Sequence, residues 1–295
     1  MRLARFAHPS APGETFDGEV RGDEVVAFAD GSTVRSRLAS GDRTPAVGAA
    51  FPLAEVELRM PHEPATIAGI GRNYAAHAAE LGNDVPTVPV VFLMPPSAAT
   101  DPSGPVVRPA VTEQLDYEVE LAVVIGRLPD GRTGAAGFCV ADDVSARDLQ
   151  DAEEQWARAK GADTFVPFGP WITTADELAA ALEPGGTPDE WDGGTPVVRL
   201  RSWVDGELRQ DASTADLVFG IDALLEHIGA AITLRPGDLV LTGTPHGVGK
   251  ATARPDGSGT GVWLQPGDVV RMEIEGLGTI EHRVVDPEGR GDEGA

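Results

Sequence analysis

The sequence predicts a mainly β fold with some α-helix, in which a small β subdomain precedes a larger domain. The first observation is a series of short apolar runs, such as PVVFLM and GAAGFCV, separated by loops rich in Pro and Gly. The second is a set of Asp-Gly and Pro-Gly turn signals beside those runs. With 41% hydrophobic residues among 295, the chain can bury a sizeable core.

The strand signals divide the chain into three parts. The segment GEVRGDEVVAFADGSTVRS has β-like runs broken by Gly-Asp and Asp-Gly turns, which predicts a small subdomain over residues 1–62. A larger domain is expected over residues 63–286, and a frayed tail over 287–295. Within the larger domain, the segments WVDGELR and EIEGLGTIEHRVV predict hairpins, and EPGGTPDEWDGGTP predicts a long loop.

Four segments carry helical patterns: NYAAHAAELG, SARDLQDAEEQWARAKG, ADELAAALE and GIDALLEHIGAAI. Gly82 is expected to end the first helix, because glycine readily takes a left-handed conformation. In the second, Ser145 with Asp148 three residues later predicts a capping box.

The overall charge limits the classes of partner. The net charge is −24 and the pI is near 4.5, so nucleic acid and anionic membrane surfaces should repel the protein. A single cysteine, Cys139, excludes an intrachain disulfide, and no signal peptide or membrane span is apparent. We therefore expect a soluble, cytoplasmic protein that acts on small molecules.

The segment LDYEVELAVVIG places two glutamates on one face of an apolar strand. Alternation puts Glu118 and Glu120 on the same side, where the strand soon becomes apolar. Asp143 follows the next apolar run, although acids before a helix often only complement its dipole. If the three converge, they repel one another unless a cation intervenes, and oxygen-only ligands favour Mg²⁺ or Mn²⁺.

Other polar residues could complete a site around these acids. His77 and Glu80 lie three apart and share a helix face, which suits a general base oriented by a carboxylate. An exposed helical pair is the alternative for these two residues, and surface polarity or a structural turn is the alternative for the rest. The further candidates for substrate contacts are Arg147, Gln150, Lys160 and the loop residue Thr244.

Read in order, several motifs closely resemble the fumarylacetoacetate hydrolase family over about residues 64–285. The resemblance implies a mixed β-roll or sandwich catalytic domain, usually a homodimer, that binds Mg²⁺ or Mn²⁺ and acts on 2-oxo or enol carboxylic acids. It implies metal ligands at Glu118, Glu120 and Asp143, and a mobile His77–Glu80 pair. It places substrate-site positions at Arg147, Gln150, Lys160 and Thr244. The motifs are GRNYAAHAAELG, PVVFLMPPSA, DYEVELAVVIG, ADDVSARDLQ, QWARAKGADTFVPFGPWI, LTGTPHGVG and PGDVVRMEIEGLG.

One departure from the family pattern concerns substrate selectivity. Many members have a lysine where this chain has Met94, which predicts an apolar contact with the substrate. The leading hypothesis is hydrolysis of a C–C bond in a 2,4-dioxo acid or its enol, with His77 activating water. The alternatives are an isomerase, tautomerase or decarboxylase that uses the same site, and a non-catalytic β-roll binding protein.

Overall fold

A computed structural model describes residues 1–183, 185–252 and 261–287. The α-helices in these ranges are α1 (Val34–Ser40), α2 (Ala75–Glu80), α3 (Arg147–Ala152), α4 (Ala157–Lys160), α5 (Ala175–Leu182) and α6 (Ile221–Gly229). The β-strands are β1 (Arg2–Ala7), β2 (Thr15–Arg21), β3 (Glu24–Ala27), β4 (Ala50–Pro52), β5 (Glu57–Arg59), β6 (Ile67–Gly71), β7 (Val90–Met94), β8 (Ala99–Thr100), β9 (Val106–Val107), β10 (Leu115–Asp116), β11 (Val119–Arg127), β12 (Thr133–Asp142), β13 (Ser145–Ala146), β14 (Val166–Thr174), β15 (Arg199–Val204), β16 (Glu207–Ser213), β17 (Leu239–Leu241), β18 (Val269–Ile274) and β19 (Gly278–Val285).

Two mixed sheets form the body of the protein, which confirms the predicted mainly β class. Among the described residues, the larger sheet runs β4-β3-β2-β1-β14-β12-β11-β17-β6-β7, with β5 paired to β1 and β8 to β14. The smaller sheet runs β16-β15-β18-β19-β9. Its apolar side chains, including Leu200, Val270 and Met272, share one core cluster with Leu121 and Val123 of the larger sheet. The two sheets therefore pack face to face.

Strand β11 lies at the centre of this arrangement and shows the predicted alternation. Leu121 and Val123 face the core between the sheets, whereas Ala122 and Val124 face a second core cluster on the other side, where α1 contributes Leu38. Every residue of β11 except Arg127 is buried. A strand covered on both faces reads as a continuous apolar run, so the two glutamates at its beginning are also buried.

The N-terminal strands extend the larger sheet. β1 pairs with β2 and β5, and its residues Arg2 and Leu3 pair with Thr173 and Ile172 of β14. Residues 1–62 are thus hydrogen-bonded directly to the larger domain. A boundary at residue 62 stays a prediction.

The helices follow the predicted positions with one exception. Gly82, with φ +71°, follows the end of α2 in the left-handed conformation. The segment predicted as one helix near residues 145–161 forms two short ones, α3 and α4, because the backbone becomes extended at Glu153. Trp156, just before α4, packs against Phe92. The capping box is also wrong. Ser145 lies in β13 and its Oγ donates to the carbonyl of Asp143, whereas Asp148 accepts from Thr112.

Both predicted hairpins are present. Asp205 and Gly206, at φ 49° and 80°, form the tight turn between β15 and β16, and β18 pairs with β19. The predicted loop near residues 183–196 contains short 3₁₀ turns at Pro188–Glu190 and Asp192–Gly194. Most of the predicted tail, residues 288–295, lies outside the described residues. Within the described ranges, no helix is long and apolar enough to cross a membrane.

Candidate active site

Three carboxylates converge where β11 begins and β12 ends. Glu118, Glu120 and Asp143 each offer an oxygen atom, and these atoms lie within 4.8 Å of one another. All three side chains are buried. Val119 of β11 pairs with Asp142 of β12. This pairing brings Glu118 and Glu120, the chain neighbours of Val119, close to Asp143, the chain neighbour of Asp142.

Two buried cations sit among these acids. Lys160 Nζ lies 2.6 Å from Glu118 Oε2 and 2.8 Å from Asp143 Oδ2. Arg147 donates to Glu118 and, through Nε at 2.8 Å, to Asp116. Arg147 also donates to Gln150 Oε1 at 2.9 Å. The structure therefore brings Arg147, Gln150 and Lys160 to the acids, as predicted, and shows that both cations hold Glu118.

Burial and neighbouring charges separate the pKa values of the three acids. Burial alone would raise the pKa of Glu118, but Arg147 and Lys160 lower it to about 2. Burial and the charges of Asp143 and Glu118 raise the pKa of Glu120 well above its ordinary value. Burial raises the pKa of Asp143 to about 7 against the opposing charge of Lys160. The site therefore has more carboxyl groups than its own cations can keep ionised.

The donor set fits a hard divalent cation. Asp143 Oδ1 is a buried oxygen that accepts no hydrogen bond within the described part of the chain. A buried carboxylate oxygen without a donor is costly, and a bound cation would remove that cost. Glu118, Glu120 and Asp143 together offer only oxygen ligands, which is the preference of Mg²⁺ and Mn²⁺.

His77, the first residue of the His77–Glu80 pair, lines the same cavity as the acids. His77 Nδ1 lies 2.8 Å from Glu80 Oε1, and the histidine is 6% exposed. Glu80 is fixed in turn by the backbone N–H of Gly247, which donates to both of its oxygens at 3.2 and 3.0 Å. The pair is therefore an oriented dyad of a buried histidine and a half-buried glutamate, rather than a solvent-exposed helical pair.

The loop that follows β17 organises the carboxylates. Gly243 N–H donates to Glu120 Oε2 at 2.7 Å, and Gly249 and Lys250 donate to Asp116 at 2.7 and 3.0 Å. A side chain at Gly249 would meet Asp116 Oδ1 at 2.6 Å, so this contact requires glycine. Several N–H groups of the loop thus bind carboxylates of the protein.

Thr244 and Met94 differ from the other predicted substrate residues. Thr244 lines the cavity, but its hydroxyl donates to the Val119 carbonyl at 3.0 Å and accepts from Gln210 at 2.8 Å. Met94 is 4% exposed and belongs to the second core cluster beside residues such as Ile67. The structure does not place Met94 among the described residues that line the cavity.

The cavity has a volume of about 220 Å³ and includes residues that the sequence did not single out. Asp116, which anchors Arg147, is also not among the predicted site residues. A pattern of residue types does not show which helical arginine turns inward. The additional lining residues are Arg72, Asn83, Phe92, Asp151, Trp156 and Lys250.

The fold and the acidic site define a member of the fumarylacetoacetate hydrolase family. The model for the fumarylacetoacetate (FAA) hydrolase C-terminal domain matches residues 66–285, and the chain belongs to this family. The resemblance seen in the motifs is therefore confirmed.

Three relatives illustrate the range of the family. Protein Rv2993c of Mycobacterium tuberculosis is 37% identical over 97% of this chain and 98% of its own length. A solved structure described as 5-carboxymethyl-2-hydroxymuconate delta-isomerase from Mycobacterium smegmatis is 35% identical, with TM-score 0.73, covering 97% of this chain and all (100%) of the other. The mitochondrial oxaloacetate tautomerase FAHD2B of Bos taurus is 37% identical over 80% of this chain and 71% of its own.

Proposed function

We propose that the protein is a divalent-metal-dependent isomerase or tautomerase of a 2-oxo or enol carboxylic acid. One observation carries the proposal: an anionic, oxygen-only trio and a histidine held by a glutamate face the same cavity. Moving a proton next to a carbonyl group needs both a base and stabilisation of an enolate oxygen. The isomerase and tautomerase activities named for two relatives support the same choice.

Glu118, Glu120 and Asp143 would hold the cation. When bound, a divalent ion supplies a Lewis acid that stabilises negative charge on the 2-oxo oxygen. Arg147 and Lys160 keep Glu118 ionised, and the Gly243 N–H orients Glu120. These contacts hold the ligand oxygens in position before substrate binds.

His77 is the base in this proposal. Because Nδ1 is hydrogen-bonded to Glu80, Nε2 is left to meet the substrate. Nε2 takes a proton from the carbon beside the 2-oxo group, and the electron pair of that C–H bond forms the C=C bond as the carbonyl electrons move to oxygen. The proton then returns to that oxygen in a tautomerase, or to a carbon further along a conjugated chain in an isomerase.

Gln150 and Lys160 complete the substrate contacts in this proposal. Gln150 uses its Oε1 to accept from Arg147, which leaves its amide nitrogen to donate to a substrate oxygen. Lys160 stays charged, because Asp143 and Glu118 raise its pKa against the opposing effect of burial. Its positive charge lowers the free energy of an anionic intermediate in the same cavity.

C–C bond hydrolysis is the second candidate, and the firm anchoring of Glu80 by Gly247 favours it. An oriented histidine–glutamate pair can also take a proton from water. The water oxygen would then bond to the distal carbonyl carbon, and the electron pair of the broken C–C bond would stay with the enolate fragment. The two candidates share every residue and differ in what His77 deprotonates.

Proton exchange in heavy water separates these candidates. The protein is stripped with chelator, reloaded with Mg²⁺ or Mn²⁺, and given 2-oxo and 2,4-dioxo acids while NMR follows the C3 protons. We expect metal-dependent deuterium exchange at C3 without an acid fragment. Release of such a fragment would favour the hydrolase, release of CO₂ a decarboxylase, and no reaction with either metal the non-catalytic binding protein. A homodimer and a cytoplasmic location stay predictions.

A further inference from the structure

A buried aspartate–histidine pair lies beside the three acids and has no part in the proposed mechanism. Nε2 of His282, in β19, is 2.9 Å from Oδ2 of Asp142, the last residue of β12. Both side chains are fully buried. Asp142 is the chain neighbour of Asp143, but neither it nor His282 is among the described residues that line the cavity. The pair therefore lies behind the cavity lining rather than in it.

The second oxygen of Asp142 binds the backbone of one of the acids. Asp142 Oδ1 accepts a hydrogen bond from the N–H of Glu118 at 2.8 Å, and the N–H of Asp143 donates to the carbonyl of Glu118 at 3.0 Å. Two adjacent residues at the end of β12 thus bind both polar groups of the Glu118 backbone. Glu118 and Asp143 are two of the three proposed ligands. The Asp142 carboxylate therefore helps to fix the position of one ligand residue relative to the other.

The hydrogen-bond pattern assigns the tautomer of His282. Its Nδ1 is buried and forms no hydrogen bond within the described part of the chain. The neutral tautomer with its hydrogen on Nε2 donates to Asp142, whereas the other tautomer would leave a buried N–H and a carboxylate oxygen unpaired. With this tautomer, each oxygen of Asp142 accepts from one donor. His282 therefore orients the carboxylate that binds the Glu118 backbone.

The surroundings of His282 are apolar. Its neighbours on the inward face of β19, Ile280 and Val284, belong to the core cluster between the two sheets. An imidazole and a carboxylate lose their hydration in such a layer, and apolar side chains of similar size would avoid that loss. The contact of Asp142 with the Glu118 backbone thus explains the pair better than the stability of the core does.

We propose that His282 is a positioning residue: through Asp142 it holds the backbone of Glu118 in the conformation that the divalent cation requires. This inference rests on the cation site of the proposed function and adds to that site a residue of the smaller sheet. Residues that orient metal ligands from outside the ligand set commonly raise metal affinity by about 10- to 100-fold, because they hold the ligands in place before the ion binds. Loss of the His282 donor should therefore weaken cation binding while every ligand stays present.

Cation binding to matched variants tests this role. His282→Leu removes the donor and keeps a side chain of similar size, whereas His282→Gln keeps an N–H donor for Asp142. Calorimetry with Mg²⁺ and Mn²⁺ should give a Kd about tenfold or more higher for His282→Leu than for the wild type, and a Kd close to the wild-type value for His282→Gln. Val284→Ala, on the same face of β19, is the control and should lower the Tm in chelator without changing the Kd.

Amide hydrogen exchange separates positioning from a general loss of stability. The reference is Ile125 of β11, whose N–H donates to the Asp238 carbonyl at 2.9 Å. In chelator, NMR should show that His282→Leu exchanges the Glu118 amide about tenfold or more faster than the wild type, relative to the change at Ile125. In Val284→Ala, the two amides should change together, because this variant loses packing and no contact of the Glu118 backbone.

Two results would overturn the role of His282: a wild-type Kd in folded His282→Leu, or a Glu118 amide that gains no exchange beyond that of Ile125. His282→Met, whose flexible side chain adapts to the same space, replaces His282→Leu if the latter does not fold. A wild type that binds neither cation would overturn both this role and the proposed cation site. A wild type that binds the cation but exchanges no C3 proton in any 2-oxo acid would overturn the proposed reaction and leave the role of His282 supported.

Discussion

The hairpin of β11 and β12 carries charged side chains at both ends, in opposite settings. At the closed end, Arg132 pairs with Asp130, and their side chains are 78% and 47% exposed. At the open end, Arg147 pairs with Glu118, and these side chains are only 2% and 5% exposed. One end of the hairpin thus has an ion pair that faces water, and at the other end Glu118 forms a buried pair with Arg147 of α3.

The two ends differ in the free-energy cost of removing charged groups from water. An exposed pair loses little hydration and contributes about 0–1 kcal/mol. Buried charges lose most of their hydration, so they persist only with partners that balance them. At the open end, the acids outnumber the cations that contact them, and Asp143 Oδ1 has no donor within the described ranges. Uncompensated charge therefore distinguishes a candidate binding site from an ordinary ion pair.

The largest effect is expected from Glu120→Gln at the open end. The variant loses one metal ligand and some of the repulsion among the acids. Metal-dependent activity should be abolished, and the rise in Tm on adding Mg²⁺ or Mn²⁺ should disappear, whereas Tm in chelator should stay equal or increase. Differential scanning fluorimetry with and without metal measures this pattern. Asp130→Asn at the closed end should behave as wild type, and an undiminished metal response in Glu120→Gln would contradict the cation assignment.

Arg147→Met tests the cost of burial directly. The change leaves the carboxylates of Asp116 and Glu118 buried without their shared partner. We expect the free energy of unfolding in urea to fall by about 3–5 kcal/mol. Arg132→Met removes the exposed counterpart and should cost less than about 1 kcal/mol. Similar small losses in both variants would remove the distinction between the two ends.

His77→Gln separates catalysis from charge balance at the open end. We expect kcat to fall about 10²-fold, because the base is lost. The metal-induced rise in Tm should stay, since His77 is not one of the proposed ligands. His246→Gln changes an exposed histidine of the neighbouring loop and serves as the control. Normal turnover by His77→Gln would show that the His77–Glu80 pair has a structural role and does not act as the base.

Local sequence patterns predicted many strands and turns of this molecule, but they did not predict contacts between segments distant in sequence. The shared face of Glu118 and Glu120 follows from the two-residue period of a strand, and the hairpin turn at Asp205 follows from local turn chemistry. The pairing of β1 with β14 joins residues far apart in sequence, so no local signal reveals it.

The site shows the same limit. Arg147 was predicted as a site residue but its buried partner Asp116 was not, because the surroundings of a helical arginine depend on tertiary packing. The left-handed φ of Arg72, 59°, is not predicted by the local sequence either, since that region favours glycine. At Met94, the family pattern and the packing indicate different roles. A family pattern suggested a substrate contact, but the packing around β7 buries this residue in the core.

The smallest effect is expected from a buried histidine outside the site. His62 is fully buried, and its Nε2 donates to the Gly237 carbonyl at 2.7 Å, near the half of β11 that leads to the closed end. Burial lowers the pKa of His62 to about 4, from 6.5 in the unfolded chain. In this pH range the unfolded state therefore binds a proton at His62 that the folded state does not bind. The free energy of unfolding falls as the pH drops from about 6.5 toward 4.

His62→Gln removes this titration and keeps an amide donor for Gly237. Between pH 7 and 5, the wild type should lose about 2 kcal/mol more stability than the variant. Urea unfolding at both pH values measures the difference, with His227→Gln at an exposed position as the control. The kcat at pH 7 should not change, because His62 is not among the described residues that line the cavity. An identical pH dependence in wild type and His62→Gln would show that His62 is already protonated in the fold.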